Sequence, residues 1–503
     1  MSSNQAQEEQ IVCEEKYMST QSVEEKHLDD AHTMYSDEEK LNELTPELLA
    51  AEKKLVWKLD YLYVMPCIAI LNFLQFFDKS ALNYSSVLGI KTDTGIDNAQ
   101  FAWLGSIFYL GYLLYQVPNT YLIQRLPIGR YIGTLIVIWG VVLTVTCEAK
   151  NFSQLAALRF LLGFFEAGIY PCCIMIVSSL YRRSEQAGRI GCVYICNGIA
   201  MAIGGLVGYG IGHMMGVHGM NAWQWIMIIL GAVTIVFGLF CFFLLVDNPK
   251  SKFLRLTPAE KKVAELRTID NATIITKEIK WHHMVESLKE PRYYCFIFAS
   301  LLFNLQNGAL NTFSAIITAG FGFSSLNAIL LTIPSGVVDC IYIAFAIWYN
   351  RKYGNTLHLA CIMLGICILG LILLIVIPIP EVKLVGLYMC WSFCAGYVLF
   401  LTALANNVSG YTKKIFYSSS VMVFYTIGNF AGPQMIVDSQ KPLYLGGMIG
   451  YIAADAICIF LLQIARYTMA KSNKQRLENP AKEKTDPTQD LTDKENPHFL
   501  YRL

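Results

Sequence analysis

Two apolar stretches carry charge where charge is hardest to keep: Asp78 and Lys79 late in one, Arg159 and Glu166 in another. A charge at bilayer depth costs from ~2.5 to more than 10 kcal/mol unless it faces a protein-lined cavity and finds a partner. One acid and one base in each of two spans suit a site that holds an anion and moves a proton. Desolvation in a low-dielectric cavity raises a carboxylate's affinity for a proton, a cationic neighbour lowers it, and opening to one side or the other changes both. The alternative reading is structural: ion pairs that hold two spans together. Lys79 has a further alternative, a stem that snorkels to the outer interface.

The chain around these residues is built to sit in lipid. Its 503 residues are 54% hydrophobic and only 15% charged, against roughly 25% charged in soluble domains. Mean hydropathy is +0.43. A net charge of +1 points to no nucleic-acid partner. Segments of the length needed to cross the hydrocarbon, ~20 apolar residues, recur twelve times, six before and six after a polar stretch at 247–292. The pattern predicts an all-α polytopic membrane protein with two six-helix bundles, at 56–246 and 293–467. The acidic residues 1–55 read as a disordered tail, and 468–503 as a polar, mostly disordered tail. Basic residues such as Arg125, Arg130, Arg189, Arg351, Lys352, Lys413 and Lys414 fall in alternate loops. Excess Lys and Arg marks the cytosolic side, so both termini are expected there. Thr257-Pro258-Ala259-Glu260 reads as the start of a short helix in the central loop.

This orientation places Asp78, Arg159 and Glu166 in the outer-to-middle region of the first bundle. A spacing of seven puts Arg159 and Glu166 on one helix face. Asn304, Asn307 and Asn311 share a face of the seventh span, where they could read a substrate's amide or carboxylate, or bond neighbouring helices. Gln75, Asn83 and Tyr84 are weaker candidates of the same kind. Asp339 and Asp455 are intramembrane acids with no basic partner evident in sequence. Glycines 204, 208 and 212 suit close helix packing rather than a nucleotide loop, since no strand precedes them. Most of the fifteen cysteines lie inside spans and read as small hydrophobes. His282-His283 reads as a solvated pair. No catalytic constellation, cofactor motif or metal-ligand spacing is evident, so the reading is not an enzyme.

Several stretches resemble the fungal allantoate permease family, in the anion:cation symporter branch of the major facilitator superfamily. They are DKSALNY (78–84), QRLPIGR (124–130), RFLLGFFEAGIYP (159–171), NAWQW (221–225), NGALNTFSAIITAGFGFS (307–324), SGYTKK (409–414) and GNFAGPQ (428–434). The resemblance covers about 55–470. It implies the major facilitator fold, with a midplane cavity and alternating access. It also implies proton-coupled import of a small organic anion, of the allantoate, ureidosuccinate, dipeptide or carboxylate-vitamin class. Asp78 and Glu166 would then be the proton-coupling acids, and Lys79 and Arg159 would bind the anion. Asn307, Asn311, Gln75 and Tyr84 would complete the substrate site. The sequence departs from the pattern at Gln124, where an acid is usual, in the shortened Arg351-Lys352-Tyr353-Gly354 motif, and at Asp78-Lys79, where Asp-Arg is common. Lys lacks the bidentate fork of Arg. The expected partners are a small anionic metabolite, protons and lipid, with the protein a monomer. The expected location is the plasma membrane, with an endomembrane the alternative. Two other functions stay open: a nutrient receptor on a transporter scaffold, and an exporter of a small organic anion.

Overall fold

The computed structural model describes residues 46–181, 183–246, 254–270, 280–441, 444–479 and 490–503. The acidic stretch 1–45 and parts of the central loop, including Lys250, Lys252 and Lys277, lie outside the described residues. The described chain is helical throughout. The N-terminal half comprises α1 (Pro46–Lys58), α2 (Met65–Val87), α3 (Asn98–Arg125), α4 (Ile128–Val145), α5 (Phe152–Glu166), α6 (Ile169–Leu180), α7 (Arg183–Gly212) and α8 (Ala222–Leu244). Between the halves lie α9 (Pro258–Asp270) and α10 (Trp281–Leu288). The C-terminal half holds α11 (Pro291–Gly320), α12 (Ser325–Leu330), α13 (Thr332–Tyr353), α14 (Thr356–Val376), α15 (Pro380–Cys390), α16 (Ser392–Asn407), α17 (Tyr411–Ala431) and α18 (Leu445–Glu478).

Among the described residues, nine helical segments are long and apolar enough to cross a membrane. Three further long helices, α3, α11 and α17, stand where spans 2, 7 and 11 are expected. Their hydropathy is lowered by polar residues such as Gln116, Asn307 and Ser418, which line a central cavity. The expected fourth span is broken at 167–168, between α5 and α6. Pro171 removes the donor that would close the turn on the Ala167 carbonyl, so the break falls directly after Glu166.

Local signals set several helix starts. Asp97 and Gln100 form a capping box on α3. Thr257 and Glu260 do the same on α9, and Lys58 at the end of α1 donates to Glu260 at 2.9 Å. That bond ties the central helix to α1. Helix α1 itself begins within the region read as a disordered tail to residue 55. Its Leu55, and Leu59 just beyond it, are 2% exposed, so burial of two leucines orders a stretch whose composition is polar.

The two halves meet along α7 and α13. A Cβ on Gly198 would lie 2.7 Å from the Gly336 carbonyl oxygen, so the backbones touch there. Of the three glycines expected to permit packing, Gly204 and Gly208 abut Phe77 and Tyr84 of α2, and Gly212 abuts Leu326. At the end away from the basic loops the halves are also pinned by hydrogen bonds. Asn83 donates to Ser314 Oγ at 2.7 Å and accepts from the Ala315 N–H at 2.9 Å. Ser106 donates to the Phe430 carbonyl at 2.6 Å, and Gln434 donates to Ser106 at 3.0 Å. We expect Asn83→Ala to cost this closed arrangement ~1–3 kcal/mol, since a buried N–H loses its acceptor. Distance measurement between spin labels on 95 and 322 should then show a longer-distance population that is absent from the parent protein.

The C-terminal end differs from the sequence reading. Helix α18 runs on to Glu478, and residues 490–503 pack against the basic-loop end of the C-terminal half. Asp493, fully buried, pairs with Arg292 at 2.6 Å and Lys413 at 3.0 Å and accepts from Tyr501 Oη at 2.6 Å. Arg502 N–H donates to Asn407 Oδ1 at 2.7 Å, and Thr356 N–H to the Leu503 carbonyl at 2.8 Å. Phe499, Tyr501 and Leu503 add apolar packing against the core, but most of the named contacts are polar, and a hydropathy reading cannot register those.

Candidate functional site

A cavity of about 780 Å³ lies between the two halves. It reaches Leu404, Val408 and Lys414, at the end that carries the basic loops. The opposite end is the one closed by Asn83 and Ser106. The cavity therefore opens toward the basic-loop side.

Lys79 and Glu166 line this cavity and form an ion pair at 2.6 Å between α2 and α5. Glu166 is fully buried, while the Lys79 side chain is 23% exposed. The lysine is thus the member a solute can reach, and it does not snorkel away. The second carboxylate oxygen of Glu166 makes no hydrogen bond. Lys79 Nζ also stands 5.8 Å from the Phe108 ring centroid, within cation–π range.

Asp78 and Arg159 lie behind this wall. Neither lines the cavity, and they are 0% and 3% exposed. Trp139 Nε1 of α4 donates to Asp78 Oδ2 at 2.9 Å. Arg159 interacts electrostatically with both Asp78 and Glu166, and its Nη2 makes no hydrogen bond. The four charges thus form one cluster with a cavity-facing layer and a rear layer. The spacing that put Arg159 and Glu166 on one face holds in this sense. Of the two cations expected to bind the anion, Lys79 lines the cavity and Arg159 does not, and helix rotation turns Asp78 toward α4.

The polar face of α11 is the other wall. Asn304, Asn307 and Asn311 all line the cavity. Asn311 donates to Asn307 Oδ1 at 2.8 Å, Asn307 to Asn429 Oδ1 at 2.9 Å, and Asn429 to Asn304 Oδ1 at 3.1 Å. Asn429, on α17, bonds two of these amides and so fixes their orientation. Asn429→Ala is expected to cost ~1–3 kcal/mol by removing a partner of buried Asn304 and half-buried Asn307, seen as a lower melting temperature with a smaller effect when Asn307→Ala is already present. Gln75 lines the cavity as well. Tyr84 does not: it is fully buried and its hydroxyl stands 3.5 Å from Thr332 Oγ1, in the seam between the halves. Gln306 bonds Cys367 and Cys390 within the C-terminal half.

Other cavity residues carried no sequence signal. Tyr109, Tyr112, Tyr170, Tyr397 and Tyr425 line the cavity, and Asn72 and Asn197, bonded at 2.7 Å, join α2 to α7 at its edge. Tyrosine is too common in membrane spans for its position to be read from one chain.

Asp339 lines the cavity from α13, whereas Asp455 on α18 does not. The histidine pair is not solvated on both rings: His283 is fully buried. Among the described residues, His282, His283 and Glu495 form the group whose ligand-type atoms fall within 4.8 Å of one another. Glu495 belongs to the C-terminal segment, which no local spacing could have connected to the histidines.

Comparison with known proteins agrees with this architecture. A model of the Major Facilitator Superfamily matches residues 68–433. An uncharacterized transporter of Schizosaccharomyces pombe is 32% identical, covering 90% of this chain and 87% of its own. The "Thiamine pathway transporter" of Saccharomyces cerevisiae is 30% identical over 92% and 87%, and the allantoate permease of the same yeast 29% over 93% and 89%. Among solved structures, a bacterial homolog of the human lysosomal transporter Spinster superposes with a TM-score of 0.61 at 15% identity, covering 83% of this chain and 98% of that one. The xylose transporter XylE from E. coli gives 0.58 at 14%, covering 80% and 96%. The cavity between two helical halves and these matches agree: the chain is a transporter of the Major Facilitator Superfamily, in the branch that includes the fungal allantoate permease.

Proposed function

We propose that this transporter imports a small organic anion together with protons, by alternating access. The observation that carries the reading is the Lys79–Glu166 pair, an anion-binding cation already occupied by a carboxylate, on the cavity wall. An arriving anion competes with Glu166 for Lys79. Once displaced, Glu166 is a buried carboxylate without its partner, a state costing several kcal/mol unless it takes a proton. Anion and proton therefore load together. For a monovalent anion, one proton brings the added charge to zero, so loading leaves the net charge of the cavity unchanged.

Asp78 and Arg159 act behind this exchange. Arg159 moderates the charge on both acids, and Asp78, held by Trp139, is the second proton-coupling candidate. Asn307 and Asn311 with Gln75 present amides to the solute's polar body. The basic-loop end is taken as cytosolic by loop charge, which puts both termini inside and makes the structure inward-facing. An inward proton gradient at the plasma membrane would then drive uptake.

The test is uptake of labelled allantoate, ureidosuccinate, a dipeptide, nicotinate, pantothenate and cysteine by transporter-deficient cells at acidic and neutral pH. Accumulation of at least one compound, greater at acidic pH and abolished by a protonophore, is the expected result. Uptake of none, or uptake indifferent to the protonophore, would remove the proposal.

A further inference from the structure

The cavity contains a charge that the exchange above leaves unused. Asp339 stands on α13, in the half opposite Lys79 and Glu166, and lines the same cavity. It is 1% exposed, and its Oδ1 makes no hydrogen bond. Its polar neighbour is the Cys394 thiol, a weak donor. Among the described residues, no lysine, arginine or histidine forms an ion pair with it.

A buried carboxylate in that state is costly unless a cation meets it or it takes a proton. Asp455 is similarly buried with an unpartnered oxygen, but it lies outside the cavity, where no solute can supply the charge. Asp339 can be met by one. The charge balance of the cavity favours this. Lys79 and Glu166 cancel, and Lys414 stands at the basic-loop mouth, so Asp339, when ionised, is the uncompensated charge in the middle of the cavity. The tyrosines on the walls, including Tyr397 and Tyr425 on the Asp339 side, add electron-rich faces that also favour a cation.

We infer that Asp339 receives an ammonium or comparable cationic group of the substrate, so that the transported anion is in fact a zwitterion, its carboxylate at Lys79 and its positive group at Asp339. This deepens the anion-symport reading and rests on it. The asparagine face of α11 would lie along the intervening body of the solute.

Matched probes test the assignment: alanyl-alanine and cysteine, each beside its N-acetyl form, which keeps the carboxylate and loses the ammonium. Allantoate serves as an ammonium-free anion. In the parent protein at least one free-amine compound should enter ten-fold or more faster than its acetylated partner. In Asp339→Asn that preference should fall to within two-fold, and Asp339→Glu should keep part of it. Equal entry of free and acetylated forms into the parent protein overturns the inference and leaves anion symport standing; this arm needs no variant to fold. Entry of allantoate alone does the same. An Asp339→Asn protein that loses proton coupling for both forms alike would make Asp339 a proton carrier and also overturn it. If no probe enters at all, this inference and the anion-symport reading fall together.

Discussion

Glu166→Gln is expected to abolish uphill accumulation while leaving exchange of substrate across the membrane measurable. Glutamine keeps the size and hydrogen-bonding shape of the side chain but cannot release or take up a proton. Lys79 then stays available to the anion throughout the cycle, so binding no longer calls for a proton. The accumulation ratio should fall to about one, whatever the pH difference. Lys79→Ala should act on the other half of the exchange, raising the half-saturating substrate concentration by about ten- to a hundred-fold, as loss of a charge-assisted contact worth ~1.5–3 kcal/mol implies. A purely structural pair makes a different prediction. Removing both charges together, as Lys79→Met with Glu166→Gln, would then restore folding and transport, because no buried charge is left uncompensated. On the present account the double variant regains stability and not accumulation. Labelled uptake and counterflow in reconstituted vesicles, beside a thermal melt, separate the two.

Asp493→Ala should release the C-terminal segment from the transporter body. The carboxylate sits between Arg292 and Lys413, with Tyr501 on the same oxygen as Arg292. Removing one member of a buried pair costs ~3–5 kcal/mol, since the remaining charges are left uncompensated. Glu290 stays near both cations, 2.7 Å from Arg292 and 2.5 Å from Lys413, so the lower end of that range is expected. Trypsin cleavage at Lys494 should accelerate by ~100-fold or more, at ~1.4 kcal/mol per ten-fold. Acid should act in the same direction. Burial by itself would raise the Asp493 carboxyl, but the Arg292 and Lys413 charges outweigh it and hold it below the usual carboxylate range. The Glu290 carboxyl is held low by the same two cations against the same burial. Groups depressed in the folded state contribute fully above the ordinary carboxylate pKa, and that contribution fades as pH falls through the depressed values. Docking should therefore be intact at neutral pH and weaken only in strong acid. A loss of docking between pH 6 and 8 would contradict the assignment.

The charged site was legible because four charges in apolar spans have few explanations. Lys79 and Glu166 needed no structure to be found, only to be seen paired. Their layering was not legible: Asp78 adjoins Lys79 in sequence, yet one helix step turns it toward Trp139. The Asn304, Asn307 and Asn311 face followed from helical period, whereas Asn429, 118 residues beyond Asn311, could join them only through tertiary packing. Tyr84 shared the sequence neighbourhood of the site and lies in the seam instead. The C-terminal segment escaped notice for a different reason. Its Asp493, Tyr501 and bonds to Asn407 do not raise hydropathy, and its packed apolar residues, Phe499 and Leu503, are too few to form a run that stands out.

Proton movement in vesicles holding the purified protein tests the central claim most directly. With a pH-sensitive dye inside and no imposed gradient, adding a transported substrate outside should acidify the lumen in the parent protein and not in Glu166→Gln. Substrate entry with no acidification in the parent protein, or equal acidification in the variant, would contradict proton coupling through the Lys79–Glu166 pair.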